Sequence, residues 1–235
     1  MTGKTIVITS GKGGVGKTTA TANIGTALAM RGNRVVVVDT DIGLRNLDVI
    51  MGLENRIVYD VVNVIEGVCK LNQAMISDKH DYELFLIPAA QTRDKNAIEP
   101  EQLRELCAEL EKDFDYVLID CPAGIEQGFK NATAAAQEAI IVTTPEVSAI
   151  RDADRIIGLL ESSGLHNPKL IINRIAPEMV KRGDMMDQQD VESLLAVEVI
   201  GLVPADEQTV VAANRGIPVV HNSNSSAGRA FMRTA

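Results

Sequence analysis

Tryptophan is absent, and aromatic residues make up only 3% of the 235-residue chain, so any core must be built from valine, isoleucine, leucine and alanine. Cysteine is scarce: Cys69, Cys107 and Cys121 stand far apart and form no C-x-x-C pair. An odd, scattered set of this kind points to reduced thiols in a cytosol-like compartment. Positive charge is also short. With 23 Lys and Arg against 32 Asp and Glu, the net charge is −9, which opposes a surface built to bind nucleic acid, where affinity rests on neutralising phosphates. Only a local basic patch stays open. No stretch approaches the roughly 18 uninterrupted apolar residues of a membrane span. Nor does the N-terminus read as an export signal, because its only apolar run, Ile6-Val7-Ile8, leads within three residues into a glycine-rich loop. A soluble chain is the expectation. There is no internal repeat, low-complexity tract or linker.

What is present is an alternation of apolar runs and helical segments. Strands are predicted at 4–9, 34–39, 84–88, 116–120, 139–144, 169–173 and 198–204, most of them apolar on both faces, as in a parallel sheet covered on both sides. Helices are predicted from Gly16 to about Arg31 and over 100–112, 147–163 and 187–195, which supply the crossovers that parallel strands need. Length alone fits one large domain or two small ones, but the unbroken alternation favours a single α/β domain over 1–235. The fold class is a doubly wound, mostly parallel sheet with helices on both faces and ligands at the carboxyl ends of its strands. Segment 177–190 reads as a polar loop or helix cap.

Gly11-x-x-x-x-Gly16-Lys17-Thr18 follows a predicted strand and opens a predicted helix, the context that marks a phosphate-binding loop. Its glycines let backbone N–H groups curl inward toward phosphate oxygens, and the helix adds the positive end of its dipole. Lys17 is placed to reach the β- and γ-phosphates, and the Thr18 hydroxyl to ligate Mg²⁺. A glycine turn with no ligand would need none of this context. Lys12 is a second lysine that such a loop does not require. It either folds back onto its own phosphates or points outward, and in the second case it is idle or serves a neighbouring subunit.

Carboxylates follow two strands: Asp39 and Asp41 in "VVVVDTD", and Asp120 in "YVLID". At strand ends they face the crevice where Mg²⁺ takes one or two carboxylates with water and phosphate oxygens. Asp120 reads as the metal-holding aspartate after the second of these strands. A strand-end or turn residue capping a backbone N–H is the plainer reading of each. No N-K-x-D guanine signature occurs, which favours ATP over GTP.

"KGGVGKTT" (12–19) resembles the deviant phosphate loop of the MinD/ParA ATPases. The resemblance implies that Lys12 crosses a dimer interface to the partner's phosphates, a role worth about 10³–10⁵ in rate when supplied by an arginine finger. It further implies that Asp41 orients the attacking water, that Asp39 supports Mg²⁺ and the switch region, and that Asn173 and the backbone near Pro204 flank adenine, with Arg174 either stacked on the base or paired with an acid. The ATP site implied is thus Gly11, Lys12, Gly13, Gly14, Val15, Gly16, Lys17, Thr18 and Thr19 with those three. Lys12, Lys17 and Asp41 are the catalytic candidates; Thr18, Asp39 and Asp120 are the metal candidates. Asp39 and Asp41 could exchange roles.

Stretches 39–67, 86–95, 120–129 and 143–161 are similar to the division-site-determining branch of that family, in its bacterial and plastid versions. On that resemblance, Arg151, Asp152 and Asp154 in "IRDADR" belong to the docking surface for the division inhibitor MinC and the regulator MinE. The alternative is a solvated helix face with i,i+3 ion pairs, Arg151 with Asp154 and Asp152 with Arg155. ATP-dependent homodimers and a cytoplasmic protein, peripheral to the inner membrane in full-length relatives (or in the plastid stroma), are implied too. Family members end in a short amphipathic membrane helix, whereas this sequence stops at "GRAFMRTA", inside what the resemblance makes the last helix. Poor binding to liposomes, even with ATP, is therefore expected of it. The cysteine pattern of nitrogenase-like iron proteins is missing, a ParA-type segregation ATPase fits poorly with the negative charge, and a non-hydrolysing scaffold would make the carboxylates incidental.

Overall fold

Four consecutive valines, Val35–Val38, are all fully buried, and alternate members serve different cores. That is the signature of a strand sandwiched between two helical layers. The structure, a computed structural model, describes residues 3–94 and 97–235; Lys95, which closes the 86–95 stretch, lies outside them.

The strands are β1 (Lys4–Thr9), β2 (Val35–Asp39), β3 (Ile76–Ser77), β4 (Leu84–Ile87), β5 (Tyr116–Asp120), β6 (Glu138–Thr143), β7 (Lys169–Ile175) and β8 (Val199–Pro204). They form one sheet in the order β3-β4-β2-β5-β1-β6-β7-β8. All neighbours run parallel except the two-residue edge strand β3, which pairs antiparallel with β4. The sheet thus extends from β1 in both directions, through β5 and β2 on one side and through β6 and β7 on the other. The carboxyl end of β1 is where such a sheet opens its crevice.

The helices are α1 (Lys17–Met30), α2 (Leu47–Met51), α3 (Val61–Ile65), α4 (Leu71–Ala74), α5 (Pro100–Leu110), α6 (Gln127–Ala135), α7 (Val147–Ser162), α8 (Pro177–Lys181), α9 (Gln188–Leu195), α10 (Glu207–Asn214) and α11 (Ser226–Thr234). Val35 and Val37 pack with residues of α1, α2 and α11, among them Ala20, Leu47 and Phe231. Val36 and Val38 pack on the other face with α5, α6, α7 and α9, through residues such as Leu103, Phe129, Ile156 and Val191. The doubly wound fold is as the sequence predicts. The segment 177–190 is not one loop: it holds α8, started by Pro177 at its first turn, and the Asp187 cap of α9, whose carboxylate accepts from the Asp190 N–H. The short helices α2, α3 and α4 escape sequence reading because four or five residues carry too little periodicity.

At the edge of the sheet near β3, the ring of His80 stacks on those of Tyr82 and His221, with centroids 5.4 and 4.3 Å away. The Tyr82 hydroxyl lies 2.8 Å from His221 Nε2, and Asp78 Oδ1 lies 2.7 Å from His80 Nδ1. Burial, then the nearby Asp78 charge, raises the Tyr82 phenol above its ordinary value, and burial, then His80, lowers His221.

Candidate functional site

The phosphate loop leaves β1 at Ser10 and turns into α1 at Lys17. Gly16 adopts φ 95°, in the left-handed region that glycine accepts without a steric penalty. Gly11 is needed for a different reason: a Cβ there would run into the backbone of Asp152 on α7. None of the backbone N–H groups of residues 13–19 donates to an acceptor among the described residues, and the first to do so is that of Ala20, to the Gly16 carbonyl. A run of uncommitted N–H groups at a helix start is what an anion requires.

Lys17 is 6% exposed and its Nζ lies 2.8 Å from Asp120 Oδ1, on the carboxyl end of β5. Burial works against the ammonium, but Asp120 outweighs it and holds Lys17 above its ordinary pKa. The same Asp120 oxygen accepts from the Thr21 hydroxyl at 2.9 Å, while Oδ2 is buried without a hydrogen-bond partner among the described residues. Thr18 is half-buried, its Oγ1 3.3 Å from Lys17 Nζ. An orphaned carboxylate oxygen near a hydroxyl oxygen suits a hard cation such as Mg²⁺, which binds oxygen donors and draws much of its shell from water and phosphate. The donors present therefore fit that ion.

Asp39 stands opposite Asp120 in the β2–β5 register and is equally buried. Burial, then the Asp120 charge, pushes its carboxyl up to about 7. Its two oxygens accept from the Asp41 N–H at 2.9 Å and the Leu47 N–H at 3.3 Å, so Asp39 fastens both ends of the loop that carries Asp41. Asp41 is half-buried and lines a cavity of about 170 Å³ with Ile42, Leu44, Pro122 and Phe129, between the loops that follow β2 and β5.

Lys12 is exposed, and its Nζ donates to Ser148 Oγ at 3.3 Å on the first turn of α7. It neither curls onto its own loop nor hangs idle. Arg151 and Asp154 are exposed and Asp152 is half-buried, opposite the buried stripe Ala149, Ile150, Ala153, Ile156, Ile157 and Leu160. The i,i+3 ion pairs that the sequence offers do not form: no ion pair joins Arg151, Asp152, Asp154 or Arg155 among the described residues.

At the end of β7, Asn173 is buried and turned toward the phosphate loop, where its Nδ2 donates to the Val15 carbonyl at 2.8 Å. Arg174 is exposed and forms no ion pair with an acid among the described residues. Pro204 closes β8 opposite Ile175, and the next residue, Ala205, donates its N–H to the Ile175 carbonyl at 2.9 Å. Lys17, Thr18, Asp39 and Asp120 are thus gathered at one crevice, Asn173 reaches it from the side, and the Arg151–Asp154 face lies on the neighbouring helix. Sequence reasoning missed Thr21 and Ser148. Thr21 sits one helical turn after Lys17, a legible spacing, whereas Ser148 had no signal.

The nucleotide binding domain model of the CobQ/CobB/MinD/ParA group matches residues 6–219. The septum site-determining protein MinD of Bacillus subtilis (strain 168) is 56% identical over 235 residues, covering 99% of this chain and 88% of the relative. Among solved structures, the MinC:MinD cell division protein complex of Aquifex aeolicus is similar at TM-score 0.92 and 50% identity, covering 98% of this chain and 93% of the other. MinD of Pyrococcus horikoshii OT3, complexed with Mg-ADP, is similar at TM-score 0.89 and 30% identity, covering 98% and 93%.

Proposed function

The chain belongs to the CobQ/CobB/MinD/ParA family of nucleotide-binding proteins, and from that membership we propose that it is a Mg²⁺-dependent ATPase that determines the division site. The buried Lys17–Asp120 pair at the mouth of an open phosphate loop is the observation that carries this reading. The Mg-ADP bound to the Pyrococcus neighbour supports the ligand, and the MinC seen with the Aquifex neighbour supports a MinC-type partner. The family match over 6–219 supports one nucleotide-binding domain.

The chemistry follows from charge. The uncommitted N–H groups of residues 13–19 cradle the phosphates, and Lys17 turns from Asp120 to the β- and γ-phosphate oxygens. That turn alone would strand a buried carboxylate, which is strongly unfavourable. Asp120 and the Thr18 hydroxyl are the oxygens that would hold Mg²⁺, whose charge supplies neutralisation on the phosphate oxygens. Asp120 would thereby keep a cationic partner when Lys17 moves to the nucleotide. Asp39 keeps the Asp41 loop in place, and Asp41 orients the attacking water. Lys12 exchanges Ser148 for the phosphates of a second copy, so ATP brings two chains face to face and hydrolysis releases them. Arg151, Asp152 and Asp154 present the surface for MinC- and MinE-type regulators. No helix among the described residues is long and apolar enough to cross a membrane; the ATP-gated cycle on the membrane surface is proposed for full-length relatives.

Light scattering with ADP and then ATP, run beside a phosphate-release assay, tests this. ATP should double the mass, with slow release, and Asp41→Ala should keep the dimer while turnover falls by about 10²–10⁴. A chain that stays monomeric with ATP, or that hydrolyses at an unchanged rate without Asp41, contradicts the proposal. Hydrolysis stimulated by DNA would redirect it to chromosome segregation.

A further inference from the structure

Asn173 lies far from Val15 in sequence, yet its carboxamide is built into the phosphate loop. One end is pinned: Oδ1 accepts the Arg174 N–H at 2.9 Å, an arrangement reached because Arg174 adopts φ 57° and the β7–β8 register breaks between Ile172 and Ile175. An arginine in the left-handed region is uncommon, and such strain persists only where surrounding contacts hold it. With Oδ1 committed, the amide nitrogen has a single orientation, toward the Val15 carbonyl at 2.8 Å. The fit is tight. A Cβ on Gly16 would overlap Asn173 Nδ2, so the last loop glycine is bare where the carboxamide lies.

A trans peptide directs its C=O and N–H to opposite sides. The hydrogen bond that holds the Val15 carbonyl toward Asn173 therefore turns the Gly16 N–H the other way, and that N–H meets no acceptor among the described residues. The carbonyl would otherwise be free to swing inward, presenting a negative dipole where the loop must present a positive one. We propose that Asn173 is a positioning residue of the phosphate loop, locking the Val15–Gly16 peptide with its N–H facing the phosphates. This rests on the nucleotide reading and deepens it, for it gives Asn173 a role at the phosphates besides the place beside adenine that the resemblance implies.

Two Mg²⁺-loaded probes separate these roles: ATP, and inorganic tripolyphosphate, which has no base. Binding of each is measured by calorimetry to the native chain, to Asn173→Ala and to Asn173→Asp. The lock requires tripolyphosphate to weaken about tenfold, the loss carried by one misdirected hydrogen bond, and ATP to weaken by at least as much. Asn173→Asp, which keeps the shape but offers no N–H, should do no better than Asn173→Ala. Unchanged tripolyphosphate affinity in both variants overturns the inference, whether ATP weakens (Asn173 then reads the base) or not (it only fills space). Should the native chain bind neither probe, the nucleotide reading fails first. Should a variant not fold, side-chain amide exchange in the native protein decides: slow exchange at Asn173 Nδ2 is required, and exchange as fast as that of an exposed asparagine overturns the lock.

Discussion

Two carboxylates beyond strand ends are treated in opposite ways. Asp206, just after β8, is satisfied on every side: it accepts from the Gln208 N–H at the start of α10 and from Ser225 Oγ, Ser226 Oγ and the Ala227 N–H at the start of α11. Burial works to raise it, but those hydrogen bonds, led by the one from Ser225, hold it well below the usual carboxylate range. Asp120 at the end of β5 is more deeply buried, yet one oxygen has no hydrogen-bond partner among the described residues and the other leans on a lysine. The first carboxylate ties two helices together at all times. The second is paired with the Lys17 ammonium, the cation that the proposed mechanism would exchange for a metal ion. A buried polar atom left without a partner marks chemistry; a fully bonded one marks architecture.

The largest expected effect tests the Asp120 side of that contrast. Lys17→Ala leaves a buried, uncompensated charge and should lower stability by about 3–5 kcal/mol, besides weakening ATP binding at least about 100-fold. Adding Asp120→Asn should recover most of the stability and none of the binding. Urea midpoints beside nucleotide titrations check both, and a Lys17→Ala chain as stable as the native one would erase the distinction. On the other side, Asp206→Ala should cost about 1–3 kcal/mol with nucleotide affinity unchanged, since it strips the buried or half-buried donors of Ser225, Ser226 and Ala227 of their acceptor. Its pH dependence has a definite sign. A depressed folded pKa stabilises above the unfolded value near ~3.9 and loses that contribution as pH falls further. Acid unfolding followed from pH 5 to 2 should therefore flatten in the variant. A matching acid slope would mean that Asp206 is not the bonded carboxylate described. The smallest effect belongs to α7, where Arg151→Ala and Asp154→Ala break no ion pair and should move stability by no more than about 0.5 kcal/mol. Binding of a MinC-type partner, measured on the same variants, should fall tenfold or more. Unaltered binding would reduce that face to solvated surface.

Much of the frame was legible in advance, for local reasons. Val35–Val38 can be buried on both sides only in a covered parallel sheet, and "GKGGVGKT" between a strand and a helix announces its own loop. Strand-end position was enough to bring Asp39 and Asp120 to that loop. What stayed hidden depends on residues distant in sequence and on short segments. Nothing near Asn173 says that it will hold Val15, nothing near Asp206 foretells Ser225 and Ser226, and Lys12 finds Ser148 only after α7 has packed against Gly11. The i,i+3 charges on α7 show the reverse: a legible spacing that the side chains do not use.

The stacked rings at the sheet edge have a spectroscopic consequence. With no tryptophan and only three tyrosines, the chain's ultraviolet emission is weak, and Tyr82 shares its environment with two imidazoles rather than with the phosphate crevice. Emission from that phenol would report on the packing of the stacked rings. To follow ligand occupancy by fluorescence, a chromophore must be introduced, for which the exposed Arg151, one residue before the backbone that abuts Gly11, offers an attachment point.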